Sequence, residues 1–151
     1  MPRRRRKENR SAAERPGRVA APPASSLKPP ALTITLRLPP RELSPNARPH
    51  YLAKAEIVKA YRRGAYLKAL VWQPRSPLAL ARVTARFWFK DRRRRDRDNL
   101  LASLKAAFDG LADAGVVADD SRMIHMPVEC DVDRRRPRVE ITVEREGRGH
   151  A

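Results

Sequence analysis

Asp96 and Asp98 stand two residues apart, Asp119 and Asp120 stand side by side further on, and Lys105 falls between the two pairs. Carboxylate oxygens are hard donors of the kind Mg²⁺ takes, with Mn²⁺ a possible substitute, and a neighbouring cation can hold the phosphate whose oxygen such an ion polarises. Four carboxylates brought together would repel and raise one another's pKa unless a cation neutralised them. The set is therefore a candidate metal site, with Asp96, Asp98, Asp119 and Asp120 as ligands and Lys105 as the group that stabilises developing negative charge. A plainer reading competes with it. Arg92, Arg93, Arg94, Arg95 and Arg97 surround the first pair, and short aspartate runs beside arginine commonly form solvated salt bridges that contribute little.

Whether the carboxylates can meet depends on the elements around them. Val83, Ala85, Phe87 and Phe89 alternate with Thr84, Arg86, Trp88 and Lys90, the period of a strand with one buried face, and this strand runs straight into the Asp and Arg cluster. A helix then starts near Asp98 or Asn99, carries Leu100, Leu101, Leu104, Phe108 and Leu111 as its apolar stripe, and ends at Gly115. On it Asp98, Lys105 and Asp109 are spaced by seven and four, which places them near one another away from that stripe. If the chain is extended through Asp96 and Asp98, both side chains point the same way; if the helix has already begun, they diverge. The return to Asp119 and Asp120 closes the cluster only if the next strand lies beside the one before the helix, as sequential strands usually do.

That next strand is read from Ile124, Met126, Val128, Cys130 and Val132, with Cys130 as a small buried hydrophobe. His125 and Glu129 share its outer face, where they pair, approach the acidic site or, as the plainer reading, remain ordinary surface residues. Arg134 to Pro137 turn the chain into a last strand through Val139, Ile141 and Val143. Upstream, Leu32, Ile34, Leu36 and Leu38 alternate as a first strand stopped by Pro39 and Pro40. A basic amphipathic helix runs from about Leu52 to Val71, its apolar positions Ile57, Ala60, Tyr61, Leu67 and Leu70, with Gly64 weakening its middle. Strand, helix, strand, helix, strand, strand is an α+β layout: a small mixed sheet of about four strands with two main helices and a final hairpin.

Composition narrows the partners. With 34 Lys and Arg against 17 Asp and Glu, the formal net charge of +17 attracts polyanions, nucleic acid first and anionic membrane second. Residues 1–31 hold six prolines and the run Arg3 to Lys7; nine Lys and Arg against Glu8 and Glu14 give them +7 and leave +10 for the rest. They read as a disordered basic arm, and residues 146–151 as a flexible tail. No apolar run approaches the roughly 20 residues that span a bilayer, which points to a cytoplasmic, nucleoid-associated protein with no membrane partner. A lone cysteine excludes an intramolecular disulfide, and His50, His125 and His150 have no metal-ligand spacing. No paired Ser or Cys motif supports a nucleophilic triad.

The ordered pattern Asp91-Arg-Arg-Arg-Arg-Asp96-Arg-Asp98-Asn99-Leu100, then Lys105-Ala-Ala-Phe108-Asp109-Gly-Leu111, Ala114-Gly115 and Asp119-Asp120 closely resembles the RusA family of Holliday-junction resolvases. Pro39-Pro40 followed by Ser44-Pro45-Asn46 resembles that family's first-strand exit, and the likeness spans residues 32–145. It implies a RusA-like nuclease domain there: a homodimeric, Mg²⁺-dependent endonuclease that makes paired cuts in four-way DNA junctions. It places the metal-binding aspartates on Asp96, Asp98 and Asp120, the important lysine on Lys105, and the junction-binding basic residues on Arg92 to Arg95 and Arg97. One departure stands out. The family's compact form has its lysine about one helical turn after the second aspartate, whereas here the spacing is seven residues. Three extra residues rotate a continuous helix by about 300°, so the lysine keeps roughly its face and moves one turn along.

Two further functions fit the same charge. A non-catalytic architectural protein would bind branched or duplex DNA and use its aspartates only to orient arginines. An RNA-binding protein would use the arginine-rich arm, folding on its target. Mg²⁺-dependent cutting, and competition by RNA, separate the three.

Overall fold

A computed structural model describes residues 31–72 and 76–147. The basic arm, apart from Ala31, and residues 148–151 of the tail lie outside the described residues. Strand β1, Leu32–Leu36, buries every second residue and leaves Thr33 and Thr35 exposed, the one-faced burial that its alternation predicts. Pro39 and Pro40 end it, and a short 3₁₀ turn, Arg41–Leu43, leads towards helix α1, Tyr51–Ala69. The buried positions of α1 are Ala65 and Ala69, and half-buried Ile57 and Tyr61 continue that row at intervals of four. Leu67, expected on the apolar face, is instead 50% exposed. Small residues occupy that face because α1 crosses a later helix, within Lys105–Asp113, at Gly110. A Cβ on Gly110 would overlap the carbonyl oxygen of Arg62.

Strand β2, Ala81–Phe89, is the spine of the sheet. On one side β5, Arg138–Arg145, runs antiparallel to it from Ala81↔Arg145 to Trp88↔Arg138, and β1 lies antiparallel beyond β5. On the other side β3, Met123–His125, and β4, Glu129–Val132, both run parallel to β2, one after the other along the same edge. The sheet is thus mixed and five-stranded, with the single third strand of the sequence reading broken in two. Pro127, which has no amide hydrogen to give the ladder, stands in the gap between β3 and β4.

The expected final hairpin does not form. Residues 133–137 carry the chain from β4 over the end of β2 to its far side, where β5 is inserted between β1 and β2. Val139, Ile141 and Val143 are fully buried there, and a place between two partners satisfies both backbone edges of so apolar a strand, which a hairpin at the rim would not. Glu146, the first residue assigned to the tail, is tied to the sheet: its amide bonds the Leu80 carbonyl at 3.0 Å and its carboxylate pairs with Arg82 at 2.9 Å.

One face of the sheet packs the core, with Phe87, Val83, Val139 and Ile141 against Leu104, Leu111, Val116 and Val117. Tyr61, desolvated with its pKa raised by burial, donates to the Arg37 carbonyl at 2.8 Å and ties α1 to the exit of β1. The expected second helix is two: α2, Arg97–Ala102, and α3, Lys105–Asp113. Between them Ser103 Oγ bonds the Leu100 carbonyl at 2.6 Å, and Leu104 leaves the helical region at φ −92°, ψ 1°. The break seats Leu104, Phe108 and Leu111 in the core, all within 3% exposure, while α2 buries no residue. Across this break Lys105 is not related to Asp98 by continuous helical rotation, so the face expected for it is not kept by the helix alone. Gly115, at φ 78°, turns the chain out of α3.

Candidate nuclease site

The loop after β2 is organised by Asp91. Its carboxylate accepts from the Arg93 amide at 3.0 Å and from Arg95 Nη2 at 2.8 Å. Arg95 also donates to the Arg93 carbonyl at 2.9 Å, and its guanidinium lies 3.7 Å from the Phe89 ring centre. Hydrogen bonds from the Arg93 amide and from Arg95 hold the Asp91 carboxyl below the usual aspartate range. Of the five arginines assigned to DNA, Arg95 is therefore turned inward to hold the loop, while Arg92, Arg93, Arg94 and Arg97 are exposed. The loop lines a cavity of about 940 Å³ with Phe89 and the residues from Cys130 to Val132. Cys130 is exposed, against the expectation of a buried thiol: β4 is a rim strand with exposed residues at its first three positions.

Asp96 ends the loop in extended conformation and caps α2, its carboxylate accepting from the amides of Asp98 at 2.9 Å and Asn99 at 3.2 Å. Helix begins at Arg97, so Asp96 and Asp98 take the diverging arrangement of the two foreseen. The Asp98 carboxylate is exposed and has no hydrogen-bond or ion-pair partner among the described residues.

At the start of α3 the chemistry changes. Lys105 Nζ donates to Asp109 Oδ1 at 2.7 Å and also to Asp120 Oδ2, across 15 positions of sequence. The parallel placement of β3 beside β2 brings Asp120 back to the helix, as the sequence argument required. The hydrogen bonds that Lys105 donates to Asp109 and then to Asp120 raise its pKa, and Lys105 in turn holds the Asp120 carboxyl below its ordinary value. Asp119 begins the 3₁₀ turn Asp120–Arg122 by accepting from the Ser121 amide at 2.9 Å.

His125 was not assigned to the site. It packs on Phe108 of α3, ring centres 4.5 Å apart, and desolvation lowers its pKa, opposed by the charge of Asp120. It does not pair with Glu129, which binds Arg86 at 3.1 Å instead. The split of the third strand breaks the alternation that put His125 and Glu129 on one face.

By donor chemistry Asp96, Asp98, Asp119 and Asp120 fit a hard divalent ion. By geometry they do not form one site within the chain: no group of three or more carboxylate, imidazole or thiol side chains able to hold a metal occurs among the described residues. The fold joins Lys105, Asp109 and Asp120, and places Asp96 and Asp98 on the preceding helix turn with separate roles.

Comparison with known proteins places this arrangement. The family model described as Endodeoxyribonuclease RusA matches residues 47–144, a span that includes Asp96, Asp98, Lys105, Asp109 and Asp120. The chain belongs to the RusA family. It is an α+β RusA fold, of a family of endodeoxyribonucleases that act on Holliday-junction DNA. A protein of Xylella fastidiosa (strain Temecula1 / ATCC 700964), described as an uncharacterized protein, is 35% identical over 115 residues, 74% of each chain. No helix among the described residues is long and apolar enough to cross a membrane.

Proposed function

We propose that this RusA-family protein resolves four-way DNA junctions by paired, symmetric strand cuts in recombination and repair, with Mg²⁺ as its ion and Mn²⁺ as a substitute. Asp96, Asp98 and Asp120 supply the ligands, Asp119 supports them, and Lys105 stabilises negative charge at the phosphate. The ion would be the group that gathers carboxylates which the chain alone leaves apart. Bound, it would supply a Lewis acid and an activated water. Two copies related by a two-fold axis would present two equivalent sites to the two equivalent strands of a junction.

The observation that carries this reading is the family match across the acidic segment, joined to the pairing of Lys105 with Asp120. The architectural alternative has support of its own, since Asp91 does orient an arginine loop as that reading expects. It leaves Asp98 and Asp120 without a purpose, because neither is paired to an arginine among the described residues. Purified protein incubated with a four-way junction and a matched linear duplex, with Mg²⁺, Mn²⁺ or EDTA at moderate salt, decides between them. Junction-selective paired nicks that EDTA abolishes are expected. Tight junction binding without cutting in either metal would establish the architectural protein instead.

A further inference from the structure

Two turns at one end of the sheet share a construction. In the first, Asp91 binds the Arg93 amide and the Arg95 side chain, and Arg95 reaches the Arg93 carbonyl at 2.9 Å and braces on Phe89. In the second, Asp133 accepts from the amides of Arg135 at 3.0 Å and Arg136 at 3.1 Å, and from Arg138 Nη1 at 2.8 Å. Arg138 donates to the Arg136 carbonyl at 2.9 Å and lies 4.6 Å from the Trp88 ring centre, while its Nε is taken by Glu140 at 2.8 Å. Each turn is an aspartate that folds arginines around itself and is closed by a last arginine braced on an aromatic residue at the end of β2. The Asp133 amide bonds the Phe89 carbonyl at 2.8 Å, so the second turn crosses the strand end from which the first departs.

The construction sorts the charges. Each carboxylate is taken up by the closing arginine and by backbone amides, one for Asp91 and two for Asp133, which leaves the middle arginines exposed. In the first turn these are Arg92, Arg94 and Arg93, the last only 3.5 Å from Asp91. In the second they are Arg134, Arg135 and Arg136, which have no carboxylate within ion-pair distance among the described residues. Guanidinium groups gathered at one sheet end on folded turns suit a row of phosphates, and turns already ordered lose little entropy on binding.

We propose that Arg134, Arg135 and Arg136 are a second phosphate-contact cluster, which together with Arg92 to Arg94 grips the sugar-phosphate backbone of branched DNA at the end of β2. The inference rests on the nucleic-acid part of the reading above, and none of the residues that carried that reading lies in this turn.

The test titrates the full chain against a labelled four-way junction and a matched duplex over a range of KCl concentrations. Three proteins are compared: wild type, R134Q/R135Q/R136Q, and a control with the same charge loss on α1, K54Q/K59Q/K68Q. Each phosphate contact contributes about 0.9 to the slope of log affinity against log salt, so the turn variant should lose roughly 2 to 3 from that slope and bind at least about 100-fold more weakly near 0.1 M salt. The control should lose clearly less of both. A turn variant with wild-type affinity and slope, or a loss no greater than the control's, overturns the proposal. If wild type binds junction and duplex alike and cuts neither, yet the turn variant still loses slope, the resolvase reading falls and the cluster stands. A wild type that binds no nucleic acid ends both.

Discussion

The arginine turns at the end of β2 and the Lys105 cluster on α3 both pair aspartate with a basic side chain, in opposite proportion. In each turn one aspartate serves several arginines and is saturated by them, so positive charge is left to face outward. On α3 one ammonium serves two carboxylates, Asp109 and Asp120, so negative charge is left over. A surplus of guanidinium suits holding a polyanion. A surplus of carboxylate suits a cation and the reaction it supports. The division implies that binding and cutting can be damaged separately.

Removing the one cation of the acidic cluster should have the largest effect. Lys105→Met should lower the single-turnover cleavage rate by about 100-fold or more, the scale of a lost charge-stabilising donor, while junction affinity changes by less than about threefold. An equal collapse of binding would break the comparison. The variant also carries a pH signature. Lys105 holds the Asp120 pKa below that of a free aspartate, so the stabilisation it gives is complete above about pH 4 and is lost as pH falls through the depressed folded value. In Lys105→Met the Asp120 carboxyl, followed by NMR, should titrate at higher pH than in wild type.

Next is a change that reaches the acidic cluster without touching it. Gly110→Ala forces α3 away from the Arg62 carbonyl and should destabilise the fold by about 1–3 kcal/mol in denaturant unfolding. Cleavage should fall more than binding, because α3 carries Lys105 and the turns do not depend on it. A smaller effect with a counterintuitive sign sharpens the other half. Asp91→Asn and Asp133→Asn each make the protein more positive, and a simple charge account has them binding DNA more tightly. If the aspartates order the turns, each variant should bind about threefold more weakly in a salt-matched titration. The smallest effect belongs to an ion pair outside both regions. Arg62 and Asp113 meet at 2.5 Å with 45% and 40% of their side chains exposed, and Asp113→Ala should cost only about 0.2–0.5 kcal/mol of stability.

Much of this was legible from residue order. The alternation in Leu32–Leu36 and Ala81–Phe89 fixes which face each strand buries, and the Lys105 and Asp109 spacing foretells their pairing because residues four apart share a helix face. What escaped depends on contacts between distant segments. The break at Ser103 and Leu104 lies inside an unbroken apolar stripe, and only the need to bury Leu104 and Phe108 together reveals it. The place of β5 between β1 and β2 depends on competition among strands that local periodicity does not rank. His125 was assigned to the wrong face because a gap at Pro127 resets the alternation; the proline was the available signal. The second arginine turn read as an ordinary connection, since the Asp133-to-Arg138 closure and its likeness to Asp91-to-Arg95 appear only once the turn is folded.

The most direct test of the division between holding and cutting is a paired measurement on Asp98→Asn, which removes an unpartnered carboxylate and leaves both arginine turns untouched. Junction affinity and Mg²⁺-dependent single-turnover cleavage would be measured on the same preparation. The account predicts wild-type affinity with cleavage reduced by about 100-fold or more. Cleavage at the wild-type rate, or a loss of binding as large as the loss of cutting, would contradict it.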